Sequence, residues 1–364
     1  MRVLHVLRRD HNAHTGGDLI QLRALVEALQ ALGVDAFASS SVGDVARPPD
    51  VVHLYNLDRT AEVARTIAAA RERWPRCRIV ISPVFWPAPL GDVVTAYRWP
   101  VRGRAVKYVL KEVRWWRAQR AILASADAIC PSSEGEGARI SSWFRMPRDR
   151  RWLTVPNGIW LARWPFRDGP ADRRTALAEL DLDPGLDRLV ACAARVEARK
   201  NQLALVEAIR RLPNTGLALI GPVSEVRYGR AVDAAAGAAG RVALTGECSQ
   251  LVLARLLRSV DVHVLPSLQE IPGLATLEAA AIGCEVVYTP GGSTGEYVGD
   301  LGHQARSGRP RDLAAAIEFA SHHPKQPALR RRVERFDWSD AARALMDAYE
   351  VALAPEPFQP RRRW

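Results

Sequence analysis

VDVHVLPSLQEIPGLATLEAAAIGCEVVYTP, residues 260–290, reads as a strand, a helix and a second strand. VDVHVLPS (260–267) is a short β-branched apolar run, suited to a strand buried on both faces. Pro272 and Gly273 break the chain. A helix follows from about residue 273 to Gly283, and EVVYTP (285–290) forms the next strand. Strand, crossover helix and strand in this order belong to a parallel sheet. The segment carries two acids. Glu270 stands in the loop beyond the first strand, and Glu278 lies about a turn and a half into the helix. The backbone N–H groups of Gly273, Leu274 and Ala275 would present a positive dipole end, a ready site for phosphate. An acid early in a helix also suits the dipole, so Glu278 has a plain helix-favouring reading. The apolar AAAIG behind it argues against a solvated face, and the spacing and strand-end placement of the pair favour function.

The same alternation extends in both directions. LVACAAR (189–195), a helix over 201–211, LALIG (217–221), VALTG (242–246) and a helix near 249–258 precede the quoted stretch. Upstream lie VLHVL (3–7), a helix over 18–32, DVVHLY (50–55), a helix near 60–73, RIVISP (78–83), ADAICPSS (126–133) with a helix after it, and WLTVPNGI (152–159). The fold class is therefore α/β, two Rossmann-like doubly wound parallel-sheet domains. The expected boundaries are 1–158, 159–337, and a C-terminal helix and basic tail over 338–364 that returns to the first domain. Ligands of such sheets bind beyond the carboxyl ends of the strands, so a cleft between the two domains is the expected active site.

ARVEARKNQ (194–202) places Arg195 and Lys200 in a short loop after a strand, where a turn would let both cations converge on one diphosphate. The alternative is a solvated helix start with casual charges. HTGGDLIQ (14–21) puts Gly16 and Gly17 between the first strand and first helix, where glycine permits close backbone approach to a ligand. The G-x-G-x-x-G spacing of a dinucleotide site is missing, which counts against a nicotinamide or flavin enzyme.

The 364 residues carry a formal net charge of +11, with four lysines among 51 basic residues. That charge implies acidic partners such as phosphates, anionic lipid or nucleic acid, although the arginine bias also fits a G+C-rich coding sequence. The five cysteines lie far apart in mostly apolar runs and read as buried reduced thiols. The N-terminus is apolar for too few residues to be a signal peptide, and no uncharged apolar run reaches about 18 residues. A cytoplasmic protein is expected. Residues 97–120, YRWPVRGRAVKYVLKEVRWWRAQR, are basic and tryptophan-rich. Lys107, Lys111, Arg114, Trp115, Trp116 and Arg117 suit an anionic membrane surface or a pyrophosphate-linked lipid, or a helix docked on its own domain with solvated arginines. Asp181-Leu182-Asp183 is a literal D-x-D but sits in a helix-to-strand turn, and His322-His323 has no spaced partners, so no metal site is expected.

These stretches together resemble glycosyltransferase family 4: retaining, nucleotide-sugar-dependent enzymes of GT-B fold. The resemblance rests on Gly16-Gly17, CPSSEGEG (130–137), VPNGI (155–159), ARVEARKNQ, LALIGP (217–222), VDVHVLPS, the E-x7-E pair Glu270 and Glu278, and GGSTGEYVGD (291–300). The E-x7-E pair with an upstream R-x4-K is the specific part. EIPGLATLEAAAIGC with EYVGD is similar to enzymes of surface-polysaccharide assembly, of the O-antigen or lipopolysaccharide kind. The resemblance implies that Arg195 and Lys200 bind the donor diphosphate and stabilise charge on the leaving phosphate, assisted by the amides of Gly273, Leu274 and Ala275. It implies that Glu278 holds the ribose hydroxyls, that Glu270 touches the donor sugar, and that Gly16, Gly17 and Gly221 line the donor. The acceptor attacks the face the leaving group departs, the phosphate takes the proton, and neither a cofactor nor a divalent metal takes part. Acceptor-side candidates are Tyr55, Asn56, Phe85 and Trp86, although Ser82 to Trp86 stand where many relatives carry a histidine. The expected function is hexosyl transfer from a nucleotide sugar to a lipid-linked or growing surface glycan, at the inner face of an anionic membrane. Two other readings stay open: a GT-B protein that binds donor without transfer, and a basic nucleic-acid binder, which lacks any recognisable module.

Overall fold

The computed structural model describes residues 1–11, 16–85, 105–167, 169 and 171–354, and in the helix Ala105–Ser125 its side chains from residue 114 onward. Two compact units divide the chain. One runs to Gly158 and includes the C-terminal helix from Trp338; the other runs from Ile159 to Asp337.

In the first unit, β1 (Arg2–Val6), β2 (Asp35–Ser39), β3 (Val51–Tyr55), β4 (Arg78–Ser82) and β5 (Ala128–Ile129) form a parallel sheet in the order β2-β1-β3-β4-β5. The order reverses between β1 and β3, which opens a crevice beyond Val6 and Tyr55. One face of the sheet carries Leu4, Val52, Leu54, Ile79 and Ile81, packed on Val63, Ile67, Leu123 and Phe144 from flanking helices. The other face carries His5 and His53, paired in register on β1 and β3. The C-terminal helix Trp338–Leu353 packs against β4, β5 and the helix Gly17–Ala31. Its Tyr349 hydroxyl sits 2.8 Å from His53 Nδ1 and 3.3 Å from His5 Nε2, while His53 Nε2 lies 2.9 Å from Ser82 Oγ. Both imidazoles are fully buried, and burial holds them neutral, that of His5 down at about 3. His53 is a satisfied core histidine.

In the second unit, β6 (Arg188–Ala193), β7 (Thr215–Ile220), β8 (Val242–Gly246), β9 (Val262–Leu265), β10 (Glu285–Tyr288) and β11 (His303–Gln304) form a parallel sheet in the order β11-β10-β9-β6-β7-β8. Alternate residues of β6 serve different layers. Leu189, Ala191 and Ala193 belong to one apolar cluster, while Val190 and Cys192 belong to the other. Helices therefore cover both faces, which is why these strands read as unbroken apolar runs. The order reverses between β6 and β9, neighbours through Val190–Val262 and Ala191–His263.

WLTVPNGI does not form the expected strand. Only one bridge, Trp152 to Ile129, joins it to the sheet, since Pro156 has no N–H to donate and Asn157 and Gly158 end the run. All five cysteines are free thiols, four of them buried and Cys248 partly exposed. Asp181 and Asp183 lie in a turn between the helix Arg173–Glu179 and β6, where Asp183 Oδ1 accepts from the Gly185 N–H at 2.8 Å. No helix among the described residues is long and apolar enough to cross a membrane.

Candidate functional site

The loops that leave β6 and β9 carry the charged groups, and both start at the point where the second sheet reverses its order. After β6 the chain passes Arg195 and Glu197, makes a single 3₁₀ turn over Ala198–Lys200, and turns at Asn201 with φ 58°. Glu197 is buried, and its two oxygens take different partners. Oε1 accepts from Arg199 Nη2 at 2.9 Å; Oε2 lies 3.4 Å from Arg195 Nη2 and accepts from Ser224 Oγ at 3.1 Å. One carboxylate thus holds two guanidinium groups that would otherwise repel. Arg199 also donates to the Gln269 carbonyl at 3.0 Å, and its own carbonyl accepts from the Leu268 N–H at 2.9 Å. The two loops are stitched together.

Lys200 is buried and forms an ion pair with Glu270, which also accepts from Ser267 Oγ at 2.9 Å. Burial alone would raise the Glu270 carboxyl. The charge of Lys200, then that of Arg199, and hydrogen bonds from Lys200 and Ser267 outweigh it and hold the group down at about 2. The backbone of Glu270 is clamped too: its N–H donates to the Gly291 carbonyl and its carbonyl accepts from the Ser293 N–H, each at 3.1 Å. A β-carbon at Gly292 would fall 2.2 Å from the Glu270 carbonyl oxygen, and one at Gly291 1.9 Å from that of Leu268, so only glycines allow this approach.

Gly273 begins the next helix, Leu274–Ile282, in the left-handed region at φ 82°, with no side chain capping the helix. The first-turn amides, those of Leu274 and Ala275 among them, have no intrahelical acceptor. Glu278 follows one turn later among Leu277, Ala279, Ala280 and Ala281, all buried. The residue is 9% exposed and has no hydrogen-bond or ionic partner among the described residues, and burial pushes its carboxyl up to about 8.

Arg195, Lys200, Glu270, Gly273, Leu274, Ala275 and Glu278 thus share one sheet edge of the second unit. Gly221 lies at the end of β7 with φ 143°, where a β-carbon would meet the Ala194 carbonyl oxygen at 2.4 Å. Its glycine is required by this backbone crossing whatever else it does. In the first unit Gly16 precedes the helix Gly17–Ala31, and a β-carbon at Gly17 would point into open space. Asn56 caps a short 3₁₀ turn at φ 66°, accepting from the Asp58 N–H and donating to Asp18 Oδ2 at 3.3 Å. Tyr55 turns its hydroxyl inward, 2.8 Å from His5 Nδ1, while the residue still lines the crevice beyond β1 and β3. Two acceptor or lipid candidates are corrected. Phe85 is core, its ring 5.7 Å from Phe144 and its N–H bonded to Glu136. Trp116 is docked inward, donating to the Trp143 carbonyl at 2.9 Å with its ring 5.9 Å from Phe144. Arg114, Trp115 and Arg117 are exposed on the same helix. Trp86 and the side chains of Lys107 and Lys111 lie outside the described residues.

Glu197, Arg199, Ser267 and the Gly291-Gly292 turn were not among the sequence candidates. An acid flanked by Arg195 and Arg199 in one loop was the available signal for Glu197. The contact between the glycine turn and the Glu270 loop spans about twenty residues and has no local signature.

Residues 187–323 match the family model described as glycosyl transferases group 1. The chain is 31% identical over 223 residues to a glycogen synthase of Mycobacterium tuberculosis, a match covering 56% of this chain and 49% of that protein. It thus spans about half the length of that relative. It is 29% identical over 337 residues to a D-inositol 3-phosphate glycosyltransferase of Xylanimonas cellulosilytica, covering 82% of this chain and 77% of that one. Among solved structures it superposes on Anabaena HepE in complex with UDP and glucose with a TM-score of 0.70 at 16% identity, covering 95% of this chain and 98% of that one. Two all-parallel α/β sheets with these structural neighbours make the fold GT-B.

Proposed function

We propose that this chain, a GT-B protein with a glycosyl transferases group 1 domain, is a retaining glycosyltransferase that takes a hexose-type sugar from a nucleoside-diphosphate sugar. The observation that carries the reading is the constellation beyond β6 and β9: a buried Lys200–Glu270 pair, a half-exposed Arg195, an uncapped helix start, and one turn later a buried acid without a partner. Each part suits one piece of the donor. Arg195, Lys200 and the amides of the helix Leu274–Ile282 match a diphosphate. Glu278 suits vicinal ribose hydroxyls, and Glu270 the sugar ring. The HepE structure, solved with UDP and glucose, supports this donor class.

On this reading the acceptor hydroxyl attacks the anomeric carbon from the face that the diphosphate leaves. The C–O bond to phosphate breaks as the new one forms, and the proton passes to the departing phosphate. Lys200 and Arg195 stabilise charge on that phosphate as it develops, so neither a cofactor nor a metal is assigned a role. Lys200 must exchange part of its contact with Glu270 for the diphosphate, which frees Glu270 to receive a sugar hydroxyl. The acceptor is a glycan, as the name of the glycogen synthase relative suggests for that protein. The site is at an anionic membrane surface in the cytoplasm: Arg114, Trp115 and Arg117 are exposed on one helix, and Trp143 on the helix Glu134–Phe144 that packs beside it. Release of nucleoside diphosphate from UDP-, GDP- and ADP-sugars tests the proposal. Glu270→Ala and Lys200→Ala should each lower turnover at least about tenfold, as loss of a charged contact on the order of 1.5 to 3 kcal/mol requires. Normal turnover in both variants would remove this edge from the chemistry.

A further inference from the structure

Glu197 stands between Arg195 and Arg199 in the loop after β6, and its surroundings hold it from three sides. The backbone before it is fixed on the segment beyond β7. The Val196 N–H donates to the Pro222 carbonyl at 2.9 Å, the Val196 carbonyl accepts from the Ser224 N–H at 3.2 Å, and Val196 bridges Val223. The backbone after it is fixed too, since the Ala198 N–H donates to Glu225 Oε2 at 3.2 Å. The carboxylate itself is buried and gripped at both oxygens. Oε2 accepts from Ser224 Oγ at 3.1 Å, and Oε1 accepts at 2.9 Å from Arg199, whose other arm donates to the Gln269 carbonyl at 3.0 Å. Arg195 is different. Its side chain is 37% exposed, and Glu197 is the one acid paired with its guanidinium among the described residues. A fixed carboxylate thus faces a cation on a long side chain with many rotamers open to it.

Resting on the glycosyltransferase reading, we infer that Glu197 is a positioning residue for the donor, acting through Arg195: it holds that guanidinium in place for the diphosphate and itself touches no part of the nucleotide. At 3.4 Å the contact with Arg195 is longer than an ordinary hydrogen bond, so the ion pair biases the side chain and leaves its N–H groups to phosphate oxygens. A binding group already in place need not be ordered when the ligand arrives, which improves affinity. Charge alone argues the reverse. Glu197 is an anion beside cations, so its loss leaves the loop more positive, and by Coulomb's law a diphosphate would then bind tighter. The two effects have opposite signs. Arg195 and Arg199 are each more than a third exposed, where water and salt screen the added charge, so positioning outweighs it.

The test is calorimetric titration of UDP, GDP and ADP into the unaltered chain, Glu197→Gln, Arg195→Ala and the double variant. Glu197→Gln keeps the size of the side chain and removes its charge. It should weaken the best-bound nucleotide at least about threefold, and less than about 1.5-fold once Arg195 is already alanine, because a residue that acts through another adds nothing after that one is gone. Melting temperatures of the ligand-free proteins establish which variants fold. Should Glu197→Gln fail to fold, Ser224→Ala, which releases Oε2, carries the same comparison with and without Arg195. Unchanged or tighter binding in the Glu197 variant, or an equal loss with and without Arg195, overturns the inference, and the donor reading stands as long as Arg195→Ala still weakens binding. Binding indifferent to Arg195→Ala, or none of the three nucleotides bound by the unaltered chain, would strike the donor reading and this inference with it.

Discussion

Glu278 and Glu270 stand eight positions apart, yet their carboxyls are driven in opposite directions, one up to about 8 and the other down to about 2. The difference is company: Glu270 has Lys200, and Glu278 has no hydrogen-bond or ionic partner among the described residues. Each makes a distinct pH prediction. Glu278 holds a proton in the folded state that the unfolded chain, near the ordinary value of 4.5, gives up. Its favourable contribution is therefore full below about 4.5 and is lost as pH rises through about 8. Glu278→Gln should flatten the fall in denaturation midpoint across that window, and parallel pH profiles for the two proteins would contradict the assignment. Glu270 behaves the other way: its contribution is full above about 4.5 and is lost as pH falls through about 2. Removing Lys200 or Glu270 alone strands a buried charge, a loss on the order of 3 to 5 kcal/mol. The double variant Lys200→Ala/Glu270→Ala should therefore unfold at higher denaturant than the worse single variant; additive losses would show that the pair is uncoupled.

The C-terminal helix Trp338–Leu353 belongs to the first unit although the second unit precedes it in sequence. The link is polar: Tyr349 bridges two buried histidines of β1 and β3. Tyr349→Phe keeps the ring and removes the hydroxyl, leaving two imidazole nitrogens without it, and should cost about 1 to 3 kcal/mol by urea denaturation. An unchanged midpoint would mean that the bridge adds nothing. Elements like this one were readable because periodicity and length agree. The helix over 338–353 and the helix Thr60–Arg73 emerge within a residue or two, as do β4 and β8. Others escaped for physical reasons. The helix Val226–Ala239 carries Gly229 and Gly237, which weaken its signal, yet a β-carbon at Gly229 would meet Val223 at 2.4 Å, so packing selects the glycine. β11 has two residues and is held by β10. Phe85 stands just past the end of β4, which suggested access; only the packing of Glu136 and Phe144 buries it.

Each unit repeats one device, a parallel sheet whose order reverses once. Motif spacing indicated the charged edge of the second unit, since Arg195, Lys200, Glu270 and Glu278 lie in two short segments. The crevice of the first unit was illegible, because Arg8, Asp18, Arg59 and Glu62, which line it, come from separate elements and only folding groups them. The net charge of +11 acts over a longer range than either site. Exposed Arg114 and Arg117 beside Trp115 should draw the protein to anionic bilayers, at about 1 kcal/mol per arginine. Arg114→Glu with Arg117→Glu should reduce co-sedimentation with phosphatidylglycerol-containing liposomes at least about tenfold while neutral liposomes show no change. Equal sedimentation of both proteins would leave these arginines as ordinary solvated surface.

The most direct measurement is calorimetric titration of UDP, GDP and ADP into the unaltered chain and into Arg195→Ala. Arg195 is the test residue because it is half exposed and its loss strands no buried partner beyond Glu197, which keeps Arg199. The account predicts saturable one-to-one binding of at least one nucleotide, weakened at least about tenfold in the variant, as one charged hydrogen bond to phosphate demands. Binding that is equally tight without Arg195, or no binding of any of the three, would contradict it.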